Sequence, residues 1–397
     1  MKEKIIATGI GVLKFLLGLL YGVLKCFPTR NKVVFLSRQG NQPGLDFLLL
    51  EESLKKEDPA PEIVMITRKI EKNIPSLLRF AWATLSSLYH LATASVCILD
   101  TYWPVVSMLR HKPDLTVIQI WHAIGKLKKS GHQTLDKGYG RGRNMAELLS
   151  MHKGYDVVIA GGKVMNEYYC ASFGVEESRL YNIGLPRIDY LLENARSSRV
   201  LLEESYPETA GKTVVLYAPT FRRGTLADYS ELIGAFAAGG QTLIIKPHPH
   251  QDLANPESLE PYRYPGLSTM QALCACDIVI TDYSAISLEA AVLSKSIYFY
   301  LFDHEQYLQN NGVNINPLVE MPNNVYHDPH QLAQAIENGT YDTESLTAFQ
   351  KRYLPDPLGQ STECLTKLIL DCIKDGKHEG IRKNLHRASE AGISVGH

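Results

Sequence analysis

Apolar and polar positions alternate along the chain in two long series of strands and helices. In the first series, apolar runs separated by helical segments predict strands at Lys32–Ser37, Glu62–Thr67, Ala94–Leu99, Leu115–Ile120 and Asp156–Ala160. The second series predicts strands at Thr213–Tyr217, Leu243–Ile245, Asp277–Ile280 and Ser296–Tyr300. Regular strand–helix alternation is typical of mostly parallel sheets with helical crossovers. The pattern therefore predicts two doubly wound α/β domains that face a cleft.

Breaks in this alternation set the predicted domain boundaries. The polar segment Asp189–Lys212 is the natural linker, so residues 31–190 are predicted to form an N-terminal domain and residues 191–375 a C-terminal domain. Residues 376–397 have little apolar periodicity and are predicted to be a polar tail, either a surface helix or partly disordered. A chain of 397 residues is long enough for two such domains.

The first 30 residues follow a different pattern. Residues 5–27 are almost all apolar, and Lys4, Lys14 and Lys25 fall on one face if the segment is helical. A narrow basic stripe on an apolar helix is typical of a helix that lies in the membrane interface. We therefore expect residues 1–30 to anchor the protein peripherally, as a monotopic helix on anionic lipid at the cytoplasmic face. A spanning helix is the alternative, since a bilayer is only about 30 Å thick.

Composition narrows the function classes. The formal net charge of −1 argues against a general nucleic-acid-binding protein. The seven cysteines are scattered and odd in number, which indicates reduced thiols and no structural zinc site. The sequence gives no indication of the oligomeric state.

The first series carries a candidate catalytic base. His122 follows an apolar strand, so it should emerge at the carboxyl end of the sheet, and a near-neutral imidazole suits proton abstraction. A basic, glycine-rich loop follows, which favours an anionic acceptor or a phosphate donor. Its candidate acceptor- or phosphate-binding residues are Gly125, Lys126, Lys128 and Lys129. The alternative is a structural role, in which His122 only forms a hydrogen bond to a neighbouring loop.

The second series carries cations and a helix start at further strand ends. Arginine binds phosphate through its planar fork, and helix N-termini favour anions. These features predict a phosphate-rich donor site. Its candidate residues are Arg222, Arg223, Lys246, His248, Thr281, Asp282, Ser284 and Glu289. A structural role is the alternative for each arginine and for His248, and Ser284 or Asp282 could simply cap the helix.

Five segments carry a resemblance to a known family. They are WHAIGKLKKSG, IGLPRIDYL, YAPTFRRG, IIKPHPH and ITDYSAISLEAAVLSKSIYFYLFDHEQY, spread in this order between about residues 32 and 370. Together they resemble the CDP-glycerol glycerophosphotransferases of teichoic acid synthesis, which include primases and polymerases. The resemblance implies a GT-B-like fold, a donor held mainly by the C-terminal domain, and functional roles for His122 and His248. It also implies that Thr281–Ala285 contacts the donor diphosphate and that Arg222 or Arg223 is the family's arginine.

The resemblance implies transfer of a polyol phosphate, glycerol phosphate being favoured, from a CDP-polyol to a hydroxyl of a membrane-bound, lipid-linked glycan, with release of CMP. His122 would be the general base, and no metal is expected, although a loosely bound Mg²⁺ stays open. Ala123, Ala285, Glu289 and Ser296 depart from the family pattern, so CDP-ribitol remains an alternative donor. A UDP-sugar glycosyltransferase or epimerase of GT-B type, and a non-catalytic membrane scaffold, are the alternatives from other classes.

Overall fold

The computed structural model describes residues 2–71 and 73–390. The chain divides into two units. The first contains residues 1–124, 130–189 and 355–397, and the second contains residues 125–129 and 190–354. Each unit is built on one parallel β-sheet flanked by helices, which confirms the predicted α/β class.

The described strands are all parallel to their neighbours and form two sheets. The first sheet has the order β2-β1-β3-β4-β5-β6 and the second β11-β10-β9-β7-β8. The bounds are β1 Arg30–Ser37, β2 Glu62–Thr67, β3 Ala94–Leu99, β4 Thr116–Gln119, β5 Val157–Ile159, β6 Leu180–Tyr181, β7 Val214–Tyr217, β8 Thr242–Ile245, β9 Ile278–Thr281, β10 Ser296–Tyr300 and β11 Val325–Tyr326. The predicted strands are confirmed, whereas β6 and β11 escaped prediction because two residues show no alternation.

Helices connect these strands and follow them. Asn73 caps α3 by accepting a hydrogen bond from the Ser76 N–H at 2.8 Å. The bounds are α1 Lys2–Leu24, α2 Leu45–Lys55, α3 Ile74–Thr93, α4 Pro104–Met108, α5 Arg143–Leu148, α6 Asn166–Phe173, α7 Pro186–Ser205, α8 Ser230–Phe236, α9 Pro256–Arg263, α10 Thr269–Ala275, α11 Ile286–Val292, α12 His304–Asn310, α13 Pro317–Glu320, α14 Pro329–Glu337, α15 Thr343–Tyr353, α16 Ser361–Asp375 and α17 Lys377–Glu390.

The strand order of the second sheet locates its ligand-binding edge. The chain leaves β7 toward β8 on one side and then returns to β9 on the other side of β7. In doubly wound sheets, ligands bind at the carboxyl ends of the strands where the order reverses in this way. The loops after β7 and β9 are therefore the expected binding loops of this unit.

The C-terminal segment corrects the predicted boundary at residue 375. From residue 355 onward the chain belongs to the first unit, because the apolar side of α16 is buried there and the Ser361 hydroxyl donates to the Ile183 carbonyl at 2.7 Å. The predicted polar tail contains α17, which salt bridges fix to this unit, Arg387 to Asp371 at 2.8 Å and Lys377 to Asp156 at 2.8 Å. Residues 391–397 lie outside the described residues.

The orientation of α1 also differs from the prediction. Two of the three lysines of the predicted basic stripe face the first unit, because Lys14 Nζ donates to Ser150 Oγ at 3.3 Å and Lys25 Nζ to the Arg110 carbonyl at 3.2 Å. Lys4, the third lysine, is exposed. Tyr21 lies on the same side and is buried. The solvent-facing side of α1 is consequently its apolar side, a reversal that helical periodicity cannot reveal.

Candidate active site

The loops after β7 and β9 are joined by hydrogen bonds at the predicted binding edge. Thr281 Oγ1 donates to the Ala218 carbonyl at 2.8 Å, and the Thr220 N–H donates to the Asp282 carboxylate at 2.9 Å. Both Thr281 and Asp282 are buried. The side chains of these two predicted donor-binding residues therefore hold the two loops together.

Arg222 joins three loops through two carboxylates. Its guanidinium forms an ion pair with Asp282 at 2.8 Å and a forked pair with Asp303, whose contacts measure 2.6 and 2.9 Å. Asp282 follows β9 and Asp303 follows β10, while Arg222 follows β7. All three side chains are at most 15% exposed, so water screens these charges weakly.

Aromatic rings pack around this arginine. The Arg222 guanidinium lies 4.4 Å from the Tyr307 ring centroid, and Tyr307 stacks on Tyr283 at 4.1 Å. The Tyr283 hydroxyl is 2.6 Å from His304 Nδ1. Burial alone would lower the pKa of Arg222, but hydrogen bonding to Asp303 and the charges of both aspartates raise it on balance. Arg222 is thus a permanently charged positioning residue for the site.

Lys246 also has a structural arrangement. Its ammonium donates to the carbonyls of Arg263, Tyr264 and Leu267 at 2.6, 2.9 and 2.7 Å. An ammonium has three donors, so these carbonyls at the end of α9 use its full capacity. Burial, followed by the Arg263 charge, lowers the pKa of Lys246 to about 8. In this arrangement Lys246 fixes β8 to the end of α9, and its ammonium is not directed at a nucleotide ligand.

His248 has an exposed side chain and holds one defined tautomer. The His250 N–H donates to His248 Nδ1 at 3.2 Å, so the hydrogen of the neutral ring resides on Nε2. Burial, followed by the nearby His250 and Lys128, lowers the pKa of His248 to about 4. At neutral pH His248 is therefore an uncharged hydrogen-bond donor.

The predicted phosphate loop belongs in part to the second unit. Residues 125–129 pair with the segment that follows α12, where the Lys129 N–H donates to the Gly312 carbonyl at 2.9 Å and the Asn314 N–H to the Leu127 carbonyl at 2.7 Å. The Lys128 side chain is exposed, yet desolvation of its ammonium lowers its pKa, an effect that the Asp282 charge opposes and the Arg222 charge reinforces. The Lys128 charge in turn lowers the pKa of His248. The structure thus brings Lys128 to the donor-site candidates, whereas Gly125 and Lys126 are buried. Burial lowers the pKa of Lys126 well below its usual value.

The remaining candidates of the second unit lie at different depths. Ser284 is half-buried just before α11, where its hydroxyl accepts from the Ile286 N–H at 3.4 Å. Glu289 is only 3% exposed, inside α11. Arg223 is exposed. Besides the half-buried Ser284, the exposed candidates of this unit are therefore Arg223, His248, Lys128 and Lys129.

His122 carries the opposite tautomer in the first unit. Its Nδ1 lies 3.0 Å from the Asp100 carbonyl, which can only accept, so Nδ1 carries the hydrogen and Nε2 is the basic nitrogen of the neutral ring. The preceding residue, Trp121, has a φ of 61°, a left-handed conformation that is rare for an aromatic residue. The Trp121 N–H is held by Gln119 Oε1 at 2.9 Å, and its ring packs on His122 with centroids 3.9 Å apart. Such strain persists where the surroundings enforce it, often at active sites.

Sequence reasoning did not assign Asp303, Tyr307 or Asp100 to the site. Asp303 and Tyr307 lie in the LFDHEQY segment after β10, and Asp100 directly follows β3, so their strand-end positions were the available signal. Within residues 2–71 and 73–390, no group of three or more His, Cys, Asp or Glu side chains is arranged to hold a metal ion.

A comparison with protein families decides the class. The model of the family described as CDP-Glycerol:Poly(glycerophosphate) glycerophosphotransferase matches residues 20–371. The chain belongs to this family. The predicted resemblance is confirmed, and this glycerophosphotransferase family accounts for nearly the whole folded part of the chain.

Curated relatives of this glycerophosphotransferase family member include primases of both polyol types. The teichoic acid ribitol-phosphate primase of Bacillus spizizenii is 28% identical over 381 residues, which cover 92% of this chain and 98% of the primase. The teichoic acid glycerol-phosphate primase of Bacillus subtilis is 27% identical over 299 residues, 73% of this chain and 77% of the primase. The teichoic acid poly(ribitol-phosphate) polymerase of B. spizizenii is 24% identical, and the match spans 58% of its length.

Solved structures support the GT-B-like fold. The wall teichoic acid polymerase TagF matches with a TM-score of 0.71 and 19% identity, over 94% of this chain and 97% of that chain. The UDP-GlcNAc 2-epimerase of Neisseria meningitidis matches with a TM-score of 0.54 and 13% identity, over 85% of this chain and 99% of the epimerase chain. At these identities the comparison shows the fold alone.

The Arg222 framework makes a testable prediction for stability. Asp303→Asn removes the charge of the forked acceptor while Asp282 remains, so the free energy of unfolding should fall by about 1.5–3 kcal/mol, the range for hydrogen bonds to charged groups. Urea titration followed by circular dichroism measures this change. Glu363→Gln is the matched control. Glu363 is 72% exposed and its partner Lys367 is 56% exposed, so this ion pair should contribute little to stability. Equal shifts of the two midpoints would refute the role of Asp303.

Proposed function

We propose that this protein transfers a polyol phosphate, glycerol phosphate being favoured, from a CDP-polyol to a hydroxyl of a lipid-linked acceptor in teichoic acid or related polymer synthesis. The observation that carries the proposal is the pair of histidines with opposite tautomers. Each of them follows a strand of a GT-B-like unit, and the family match covers both of them. That the reaction needs no protein-bound metal stays a prediction.

The proposed step is an in-line displacement at the polyol-bearing phosphorus. The acceptor oxygen forms the new P–O bond, its proton passes to Nε2 of His122, and the P–O bond to CMP breaks. Because Nδ1 of His122 donates to the Asp100 carbonyl, the resulting imidazolium would be stabilised as it forms. Strained Trp121 would hold the ring in the required orientation.

The donor would be held by the second unit. His248 would donate its Nε2–H to the leaving phosphate, and Lys128 would supply the positive charge that the neutral histidine lacks. The Arg222 guanidinium offsets one of the two negative charges of Asp282 and Asp303, so it would weaken their repulsion of the diphosphate. Such preorganised donors and charges are a principal source of rate enhancement in phosphoryl transfer.

CDP-ribitol is the second candidate donor. It is favoured by one observation, namely that the match to the ribitol-phosphate primase extends over 92% of this chain, against 73% for the glycerol-phosphate primase of B. subtilis. The departures at Ala285 and Glu289 lie on the donor side of the site, where polyol identity would be read.

Donor turnover tests the proposed function. CDP-glycerol and CDP-ribitol are incubated separately with a lipid-linked disaccharide acceptor, and release of CMP is measured. His122→Ala should lower kcat by about 10²- to 10⁴-fold without changing donor affinity, because only the base is lost. His386→Ala is the control, since that histidine is exposed on α17. The absence of acceptor-dependent CMP release from either donor would refute the function. A decrease of kcat smaller than about tenfold in His122→Ala would show that His122 is not the general base.

A membrane surface is the proposed location of this reaction. The outer side of α1 is apolar, and by length and composition its segment Lys4–Leu24 is apolar enough to cross a membrane. Helix α3, which packs against α1, adds Ile74, Leu78 and Trp82, exposed by 73%, 66% and 74%. Exposed apolar side chains on two packed helices, an exposed tryptophan among them, are typical of membrane-interface contacts. We define the apolar face as Ile74, Leu78 and Trp82 of α3 together with the exposed apolar residues of α1, which are Ile5, Ile6, Val12, Leu13, Phe15, Leu16, Leu19, Leu20 and Val23.

Vesicle binding tests the apolar face. Leu78→Ser combined with Trp82→Ser should weaken binding to phospholipid vesicles by about tenfold or more, because two large side chains lose their burial in lipid. Val319→Ser is the matched control, since Val319 is 71% exposed in the second unit and outside the face. Sedimentation with vesicles measures the binding. Equal binding by the double variant and wild type would contradict the assignment.

A further inference from the structure

Two arginines in the first unit lie around one tyrosine ring. The Cζ atoms of Arg38 and Arg141 lie 5.3 and 6.0 Å from the centroid of Tyr102. Arg38 directly follows β1 and Tyr102 lies just beyond β3, so the cluster occupies the carboxyl edge of the first sheet. Burial lowers the pKa of Arg38, and the positive charge of Arg141 lowers it further.

The cluster contains polar atoms that the protein does not satisfy. Arg38 Nε and Arg141 Nη1 are buried without a hydrogen-bond partner, and neither side chain forms an ion pair within residues 2–71 and 73–390. Stacking on Tyr102 leaves the in-plane N–H donors of a guanidinium unused. Buried donors are nearly always paired in folded proteins, and two like charges repel each other. An anion that contacts both guanidinium groups would satisfy these donors and offset the repulsion.

The same edge of the sheet carries a buried hydrogen-bond acceptor that also lacks a partner. Asp100 Oδ1 is buried without a hydrogen-bond partner, while Asp100 Oδ2 accepts from Ser37 Oγ at 2.7 Å. The carbonyl of Asp100 is also the group that binds His122 Nδ1. Asp100 therefore connects the arginines to the proposed base, since its charge acts on Arg38. A ligand here would need both an anionic group and a hydroxyl donor.

Phosphate chemistry fits these requirements best. Guanidinium forks match phosphate oxygens in a bidentate manner. The family description names a poly(glycerophosphate) acceptor, which carries phosphates next to free hydroxyls. We propose that Arg38 and Arg141 bind a phosphate of the acceptor and that Asp100 Oδ1 accepts from one of its hydroxyls. This inference rests on the proposed function and assigns the acceptor subsite of the same reaction.

Steady-state kinetics with two soluble acceptors tests the subsite. One acceptor ends in glycerol phosphate, and the other is identical except that it lacks the phosphate. Arg38→Gln and Arg141→Gln should each raise KM for the phosphate-bearing acceptor by about ten- to a hundredfold, the equivalent of one lost hydrogen bond to a charged group. KM for the phosphate-free acceptor and the affinity for CDP-glycerol should stay unchanged. Arg143→Gln is the matched control, because Arg143 is 60% exposed and already paired with Asp136.

Calorimetric titration of the phosphate-bearing acceptor into donor-free protein separates this subsite from the reaction itself. Weaker binding by the two variants supports the subsite even if wild type releases no CMP, in which case only the proposed function fails. Arg38→Lys should restore part of the affinity, and a circular dichroism spectrum and unfolding midpoint equal to those of wild type show that the variants are folded. Equal changes of KM for both acceptors, or no change, would overturn the subsite. So would a loss of binding to anionic vesicles at unchanged KM, because a lipid headgroup would then be the ligand.

Discussion

The second unit depends on one buried guanidinium. Arg222 connects the ends of β7, β9 and β10 by binding Asp282 and Asp303 at the point where the strand order reverses. Without this cation, two buried carboxylates would line a site for a negatively charged donor, and burying unpaired charge is costly. In the proposed function Arg222 would serve both folding and donor binding, because the charge that fixes the loops also offsets part of their repulsion toward phosphate.

The two histidines illustrate how backbone groups can decide a chemical role. A carbonyl faces Nδ1 of His122 and an N–H faces Nδ1 of His248, so Nε2 of the neutral ring is a proton acceptor in one unit and a hydrogen-bond donor in the other. A fixed tautomer needs no reorganisation during the reaction, which is the basis of electrostatic preorganisation. The low pKa of His248 places the need for positive charge on Lys128, a residue that the chain inserts into the second unit.

Much of this arrangement is predictable from sequence because it depends on strand ends. Apolar runs locate β1 to β5 and β7 to β10, and polar residues that follow them, such as His122 and His248, then fall at the carboxyl edges of sheets. The direction of a long side chain is not predictable in the same way. Lys246 binds three carbonyls at the end of α9, and Lys14 and Lys25 of α1 face the first unit, because partners distant in sequence compete for each ammonium. The return of α16 to the first unit likewise depends on packing partners that are far away along the chain.

The most direct test of the central claim is a crystal structure with CDP-glycerol bound. The account predicts the diphosphate at the carboxyl ends of β7 and β9, with a phosphate oxygen within hydrogen-bond distance of His248 Nε2 and the Lys128 ammonium nearby. It also predicts that Arg222 keeps its pairs with Asp282 and Asp303 in that complex. A nucleotide bound only in the first unit, or an Arg222 that leaves both aspartates to bind phosphate, would contradict it.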